Sequence, residues 1–298
     1  MARGPSRFAM RENHPPAGPC PPELLEAWRI GEASLARAYG RVGDQERALI
    51  KSLIALAYAG LEPGRPVQWS RCARIAGETL HIEDSRPRPW CLLVLGPETV
   101  SAPQAVAAVM PAIVRRIPRI MAVRPRSRAP WPAALLTAFE LAGVEALYGP
   151  PRAALADCLR SLACPAGGSF IYLGQPRLWD LVHGLAEEQG SPAVWLKPPA
   201  KIGVWAEPGL AWDEKALRLV HPDAEFQVWG GVGPAGFPAC EGDFEDFCRA
   251  GYQTVYAPPE RWPDSAGLCL GPGREFFWHW PEMSEDVCHT RRTGYRQG

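Results

Sequence analysis

The sequence has no apolar run approaching the roughly 20 residues that a membrane-spanning helix needs, so hydropathy excludes such a helix. Its amino-terminal stretch has no apolar segment followed by a small-residue cleavage site, and no secretory leader is expected. Neither sign of charge is in excess. The 32 Lys plus Arg balance the 32 Asp plus Glu, which leaves no net field to draw the chain to nucleic acid or to an anionic membrane. The nine cysteines contain no Cys-x-x-Cys pair and no regular spacing, which disfavours a disulfide framework. Lysine is scarce beside arginine, and no internal repeat is visible. The expectation is a soluble, cytoplasmic protein with reduced thiols and with neither nucleic acid nor membrane as partner.

Proline is plentiful, with 33 in 298 residues, so helices should be short and often interrupted. Residues 1–22 mix Pro, Arg and Gly without an apolar period and read as a flexible arm. Residues 23–89 read as a helical amino-terminal region. Leu24, Leu25, Trp28 and Leu35 suit one amphipathic helix, Leu49 to Ala57 a second ending near Gly60, and Pro63-Gly64-Arg65-Pro66 breaks the chain. Over residues 90–207 apolar strand-like runs alternate with helical ones: Trp90 to Leu95, Ile120 to Val123, Ala146 to Tyr148, Phe170 to Leu173, Ala193 to Leu196 and Ile202 to Trp205. This rhythm predicts an α/β fold with a parallel, Rossmann-like sheet and helices on both faces. Residues 208–298 read as a shorter second α/β region. Its tail carries Trp262, Phe276, Phe277, Trp278 and Trp280, expected to pack on the core because such a cluster is an aggregation hazard when exposed.

Several motifs then fall in one order. Val94-Leu95-Gly96-Pro97 closes the first strand, Met110-Pro111-Ala112 lies in the next helix, and Leu141-Ala142-Gly143-Val144 precedes a strand. Tyr148-Gly149-Pro150-Pro151-Arg152, Tyr172-Leu173-Gly174-Gln175-Pro176 and Lys197-Pro198-Pro199-Ala200-Lys201 follow later strands, and Asp246-Phe247-Cys248-Arg249-Ala250-Gly251 comes near the end. In order and spacing, over about half the chain, this series resembles the histidinol dehydrogenase family, which is related in fold to aldehyde dehydrogenases. The resemblance implies a zinc- and NAD-dependent alcohol oxidation, and the departures speak against it. Prolines 150, 151, 176 and 198 stand where the family's glycine-rich turns offer backbone N–H groups, and each removes a donor. Ala200-Lys201 replaces a Ser-Glu pair. The family's Gln-x-x-His zinc motif becomes Arg218-Leu219-Val220-His221, with a cation in place of a neutral ligand. Asp246 matches the family's carboxylate ligand, leaving His221 and Asp246 as remnants of a metal site. The segment that carries the family's catalytic Glu-His pair is absent between Trp229 and Asp243.

The resemblance points to a shortened, degenerate dehydrogenase-like pseudoenzyme. No catalytic residue and no metal are assigned, and NAD stays open as a cofactor. Gly96, Arg152, Gly174 and Lys201 are the candidate ligand contacts, since they match loops at the carboxyl ends of parallel strands. Cationic Arg152 and Lys201 there could bind a small anionic molecule through its phosphate or carboxylate, or could cap a closed pocket, and capping is favoured. Two alternatives stay open: an NAD(P)-dependent oxidoreductase with different catalytic residues, and a non-catalytic interaction scaffold. A homodimer is compatible with both. Cys240 is the most loop-like thiol, but Glu241 beside it opposes thiolate formation, while Cys91, Cys158 and Cys269 read as core. The carboxyl-terminal set Cys240, Cys248, Cys269, His279, Cys288 and His289 lacks zinc spacing. His279 is expected to be packed and hydrogen-bonded, and Arg115, Arg116 and Arg124 to Arg128 to be solvated.

Overall fold

The computed structural model describes residues 22–61, 67–76 and 79–297. The expected arm, apart from Pro22, and the break at residues 63–66 lie outside the described residues. Three helices come first: α1 (Pro22–Trp28), α2 (Glu32–Arg41) and α3 (Asp44–Gly60). The single helix predicted from Leu24 to Leu35 is thus two. Between them Arg29 forms an antiparallel bridge with Tyr148, and the Ile30 N–H donates to the Leu147 carbonyl at 2.8 Å. Pairing with an exposed strand edge has won over continuation of the helix.

The helical region does not run to residue 89. Strands β1 (Trp69–Ala76) and β2 (Thr79–Pro87) form an antiparallel pair. Their sequences lack the apolar alternation of a half-buried strand: β1 is mostly exposed, and β2, though half-buried over much of its length, buries only Ser85.

The alternating segment begins at β3 (Trp90–Leu95), followed by α4 (Ala102–Val114), β4 (Arg119–Val123), α5 (Ala133–Leu141), β5 (Ala146–Tyr148) and α6 (Leu155–Leu162). Then come β6 (Ser169–Leu173), α7 (Trp179–Glu188) and β7 (Ala193–Leu196). The five strands lie in the order β5-β4-β3-β6-β7, all parallel. The chain runs outward from β3 to β5 and returns to β6 on the other side of β3, so the topological switch lies between β3 and β6. β3 is buried along its whole length. Cys91, Leu93 and Leu95 enter one core cluster, while Trp90, Leu92 and Val94 enter the cluster on the opposite face, as the two-residue period of a strand dictates.

A second parallel sheet follows: β8 (Lys201–Trp205), α8 (Glu214–Val220), β9 (Glu225–Trp229), α9 (Phe244–Arg249), β10 (Thr254–Tyr256) and β11 (Leu268–Leu270), ordered β11-β10-β8-β9. β8 belongs to this sheet, so the boundary between sheets falls in the loop 197–200 rather than at residue 207. Finally α10 (Glu285–Cys288) leads into β12 (His289–Gln297), which returns to pair antiparallel with β2. The fold is α/β, with two parallel sheets, a small helical region before them and a third, antiparallel sheet that the sequence did not announce. Among the described residues no helix is long and apolar enough to cross a membrane.

Helix α4 joins the layers. Every residue in it except Ile113 is buried; Ala105, Ala107, Ala108, Val109 and Ala112 share one cluster with β3, β6, β8 and β9, while Ala102, Val106 and Val114 share another with α3. An apolar helix with no polar face is a helix meant for an interior. The aromatic tail packs around it: Trp278 and Trp280 are each 2% exposed, and Phe276 and Phe277 pack against the α3–α4 cluster. Two expectations fail there. His279 points outward between the two tryptophans, and Trp262 is 45% exposed, held by a hydrogen bond from its indole to the Ala257 carbonyl.

Trp280→Ala is expected to cost about 3–5 kcal/mol, read from urea unfolding midpoints, with a much smaller loss for Trp262→Ala. Truncation before Trp262, which removes β11, α10 and β12, should give insoluble or strongly destabilised protein. An unchanged midpoint in Trp280→Ala would mean that the tail does not carry the core.

Candidate functional site

Ligands of open parallel sheets bind at the carboxyl ends of the strands, beside the switch point. Here that crevice lies over Gly96, which follows β3, and Gly174, which follows β6. The two glycines meet: a Cβ on Gly174 would come within 3.0 Å of the Gly96 Cα. The Glu98 side chain fills the space above them. Its Oε1 accepts the Gln175 N–H at 2.7 Å, and a Cβ on Gly96 or Gly174 would lie 2.2 or 2.8 Å from that oxygen. Gly174, at φ 153°, is also in a conformation that other residues rarely adopt.

Three further backbone donors at this end of the sheet are also taken. Gly96 N–H donates to Leu173 O at 2.8 Å and Thr99 N–H to Gly96 O at 3.0 Å, while Gly174 N–H reaches Leu196 O at 3.3 Å. The Thr99 hydroxyl donates to Leu173 O at 3.0 Å. Pro97 and Pro176 have no N–H to offer. Beneath the crevice the Tyr172 hydroxyl donates to the Gln175 carbonyl. Burial, then the neighbouring Glu98 carboxylate, push its pKa up to about 12.

Arg124, expected in a solvated loop, is 1% exposed, and Arg115 is buried as well. The Arg124 guanidinium turns inward from the end of β4 and donates to the carbonyls of Pro97, Ala129 and Pro130. Burial lowers its pKa, and the Glu98 charge opposes that shift. A planar fork of donors suits such a carbonyl cage, and the nearby Glu98 carboxylate favours the charge electrostatically without an ion pair.

Behind the crevice lies a cavity of about 110 Å³, lined among others by Glu98, Ser101, Gln104, Gln175, His221 and Asp223. Its floor is the start of α4. The Ser101 hydroxyl accepts the Gln104 N–H at 3.3 Å as the helix cap and donates to the Val220 carbonyl at 2.7 Å. The Gln104 side-chain nitrogen faces His221 Nδ1 at 3.2 Å, and His221 Nε2 lies 2.9 Å from the Tyr256 hydroxyl. An amide nitrogen only donates, so Nδ1 is the acceptor and the imidazole proton sits on Nε2, donated to Tyr256. Burial holds the ring neutral, lowering its pKa to about 3. The Ser101-x-x-Gln104 spacing is a helix-start signal legible in the sequence. The glutamine, however, serves the histidine instead of closing a capping box.

The candidate contacts separate. Gly96 and Gly174 are brought together. Arg152 is exposed at the start of a short turn after β5, an outer strand two positions from β3. Lys201 opens β8 at the amino end of the second sheet, 4.0 Å from Glu225, because the four-residue loop 197–200 joins the carboxyl end of one sheet to the amino end of the next. The metal remnants also part. Asp246 accepts the Asp243 N–H in the capping box of α9 and pairs with Arg249 at 2.8 Å, while both ring nitrogens of His221 are bonded elsewhere. Arg218 pairs with Glu214 at 2.9 Å and lies over the Phe237 ring. These residues do not fit a zinc ion. Cys91, Cys158 and Cys288 are buried, whereas Cys240 and Cys269 are half-buried. Among the described residues no three His, Cys, Asp or Glu form a group able to hold a metal.

The buried His221 has a folded-state pKa below its unfolded value, so its contribution to stability is complete above about pH 6.5 and is lost as pH falls toward 3. Unfolding free energy measured by urea titration should fall by several kcal/mol, about 1.4 per pH unit, across that window, and His221→Asn should flatten this limb. A wild-type limb no steeper than the variant's would contradict the buried neutral imidazole.

No family model matches the sequence, and no curated protein matches it. Solved structures do. The histidinol dehydrogenase of Elizabethkingia anophelis aligns with a TM-score of 0.61 at 10% identity, over 91% of this chain and 77% of that one. A succinate-semialdehyde dehydrogenase of Burkholderia pseudomallei aligns with a TM-score of 0.50 at 11% identity, over 93% of this chain and 88% of that one. The likeness is one of architecture: this chain has the fold of histidinol dehydrogenase, shared more distantly with aldehyde dehydrogenases.

Proposed function

We propose that this chain is a degenerate histidinol dehydrogenase-like protein that does not carry out zinc-dependent alcohol oxidation and that binds, at most, a small anionic molecule. The observation that carries the reading is the closed cleft. Where a dinucleotide would need backbone donors and room, the N–H groups of Gly96, Thr99, Gly174 and Gln175 already have partners within the chain, and the cavity measures about 110 Å³. Pockets for drug-sized ligands run roughly 300–1,000 Å³. The ligand chemistry of zinc is missing in the same way, since Asp246, Arg218 and His221 are each committed to local partners.

A homodimer belongs to this reading. The sheet β1-β2-β12 ends in two long outer strands and exposes Ile75 and Tyr295, and a second copy would cover a surface that soluble proteins rarely leave open.

The test is turnover and binding by the purified full chain. With zinc supplied, histidinol and NAD should give no reaction above a metal-free control, and NAD should not raise the melting temperature, as any native-state ligand must by mass action. Elemental analysis should find no stoichiometric zinc. Turnover, or one zinc per chain lost on His221→Ala or Asp246→Ala, would overturn the reading. A melting temperature raised by NAD without histidinol turnover would favour an oxidoreductase with other catalytic residues.

A further inference from the structure

Glu98 is held in place from both sides. The preceding carbonyl, of Pro97, is fixed by the buried Arg124. The following residue, Thr99, is fixed by its N–H to Gly96 O and its hydroxyl to Leu173 O. Between these anchors the side chain has one aim, across Gly96 and Gly174 to the Gln175 N–H. The two glycines leave open the volume that the carboxylate occupies. A backbone N–H over a glycine pair at the switch of a parallel sheet, with a buried guanidinium beside it, is a place where negative charge is favoured. The chain supplies that charge itself.

We propose that Glu98 is an internal competitor for this seat, and that a small oxyanion, a carboxylate or phosphate group, binds at Gln175 N–H over Gly96 and Gly174 only when the Glu98 side chain is out of it. The proposal rests on the small-anion part of the function proposed above and gives it a location and a gate. Neither Arg152 nor Lys201 takes part. The two glycines leave room for the carboxylate, since a Cβ on either would clash with it. Removing the side chain frees a donor and a volume together. Neutralising it leaves both filled, because an amide oxygen accepts the same hydrogen bond.

The experiment is an amide-resolved NMR titration of the full chain with acetate and, separately, inorganic phosphate, following the Gln175 N–H. Glu98→Ala and Glu98→Ser should show saturable shifts of that amide, with an apparent Kd lower than in wild type by about tenfold or more, the effect of one charge-assisted hydrogen bond. Glu98→Gln should behave as wild type. Preference for acetate or for phosphate identifies the kind of oxyanion. The readout is binding, not turnover, so it can fail without the parent reading failing. No gain in either opened variant would overturn the proposal, as would a gain in Glu98→Gln equal to that in Glu98→Ala, which would make net charge the cause instead of an occupied seat.

Discussion

Helix α4 carries no charged residue and is enclosed on all sides, and much of the molecule follows from that. A charge-free helix can be buried at little cost, and each Val, Ile or Met placed in the interior contributes about 1.5–3 kcal/mol. Its one long polar side chain, Gln104, is then carried inside, where an unpaired amide would cost about 1–3 kcal/mol. His221 meets that amide, and Tyr256 meets the histidine. Trp280 caps the same residue's backbone carbonyl at 2.9 Å. The polar chain linking α4 to α8 and β10 is therefore a consequence of burying α4 and not evidence of acid–base chemistry. A neutral imidazole with both nitrogens engaged is a structural link between α4 and the second sheet.

The carboxyl edge of the first sheet follows the same economy. Proline removes donors at 97 and 176, backbone carbonyls consume others, Arg124 holds the Pro97 carbonyl, and Glu98 takes the Gln175 N–H. The crevice at the switch point is thus partly filled by the chain's own groups. The shape of such a site depends on main-chain geometry, which tolerates many sequences. Its affinity depends on a few unsatisfied groups, and single substitutions can satisfy them.

What was readable in the sequence follows from how far each interaction reaches. β3, β4, β6 and β7 are short, apolar and bounded by turns, so their own residues identify them, and the parallel sheet follows from their spacing. β1, β2 and β12 gave no signal, because they lack an apolar face, and β12 meets β2 only across some 200 residues, as in His289 opposite Pro87. The seats of Gly96 and Gly174 could be placed from strand ends alone. Lys201 could not, because its position depends on which sheet β8 joins. Arg124 sits in a run of arginines that looks solvated, and only the tertiary path of Pro97 and Pro130 turns it inward. Glu98 carries no mark beyond being a charge next to Gly96-Pro97. Its role arises from Gln175, 77 residues later.

The pairing of β2 with β12 also constrains how the molecule is made. During synthesis β2 emerges early with β1 as its only neighbour, and a two-stranded ribbon is marginal in water. The register His289↔Pro87 to Gln297↔Thr79 cannot form until residues some 200 positions after β2 have left the ribosome, after both parallel sheets have had time to assemble, since growing chains fold from the amino end. The antiparallel sheet is thus closed late, when β12 joins a strand made some 200 residues before it. Until it forms, an open strand edge is available to any other nascent chain nearby.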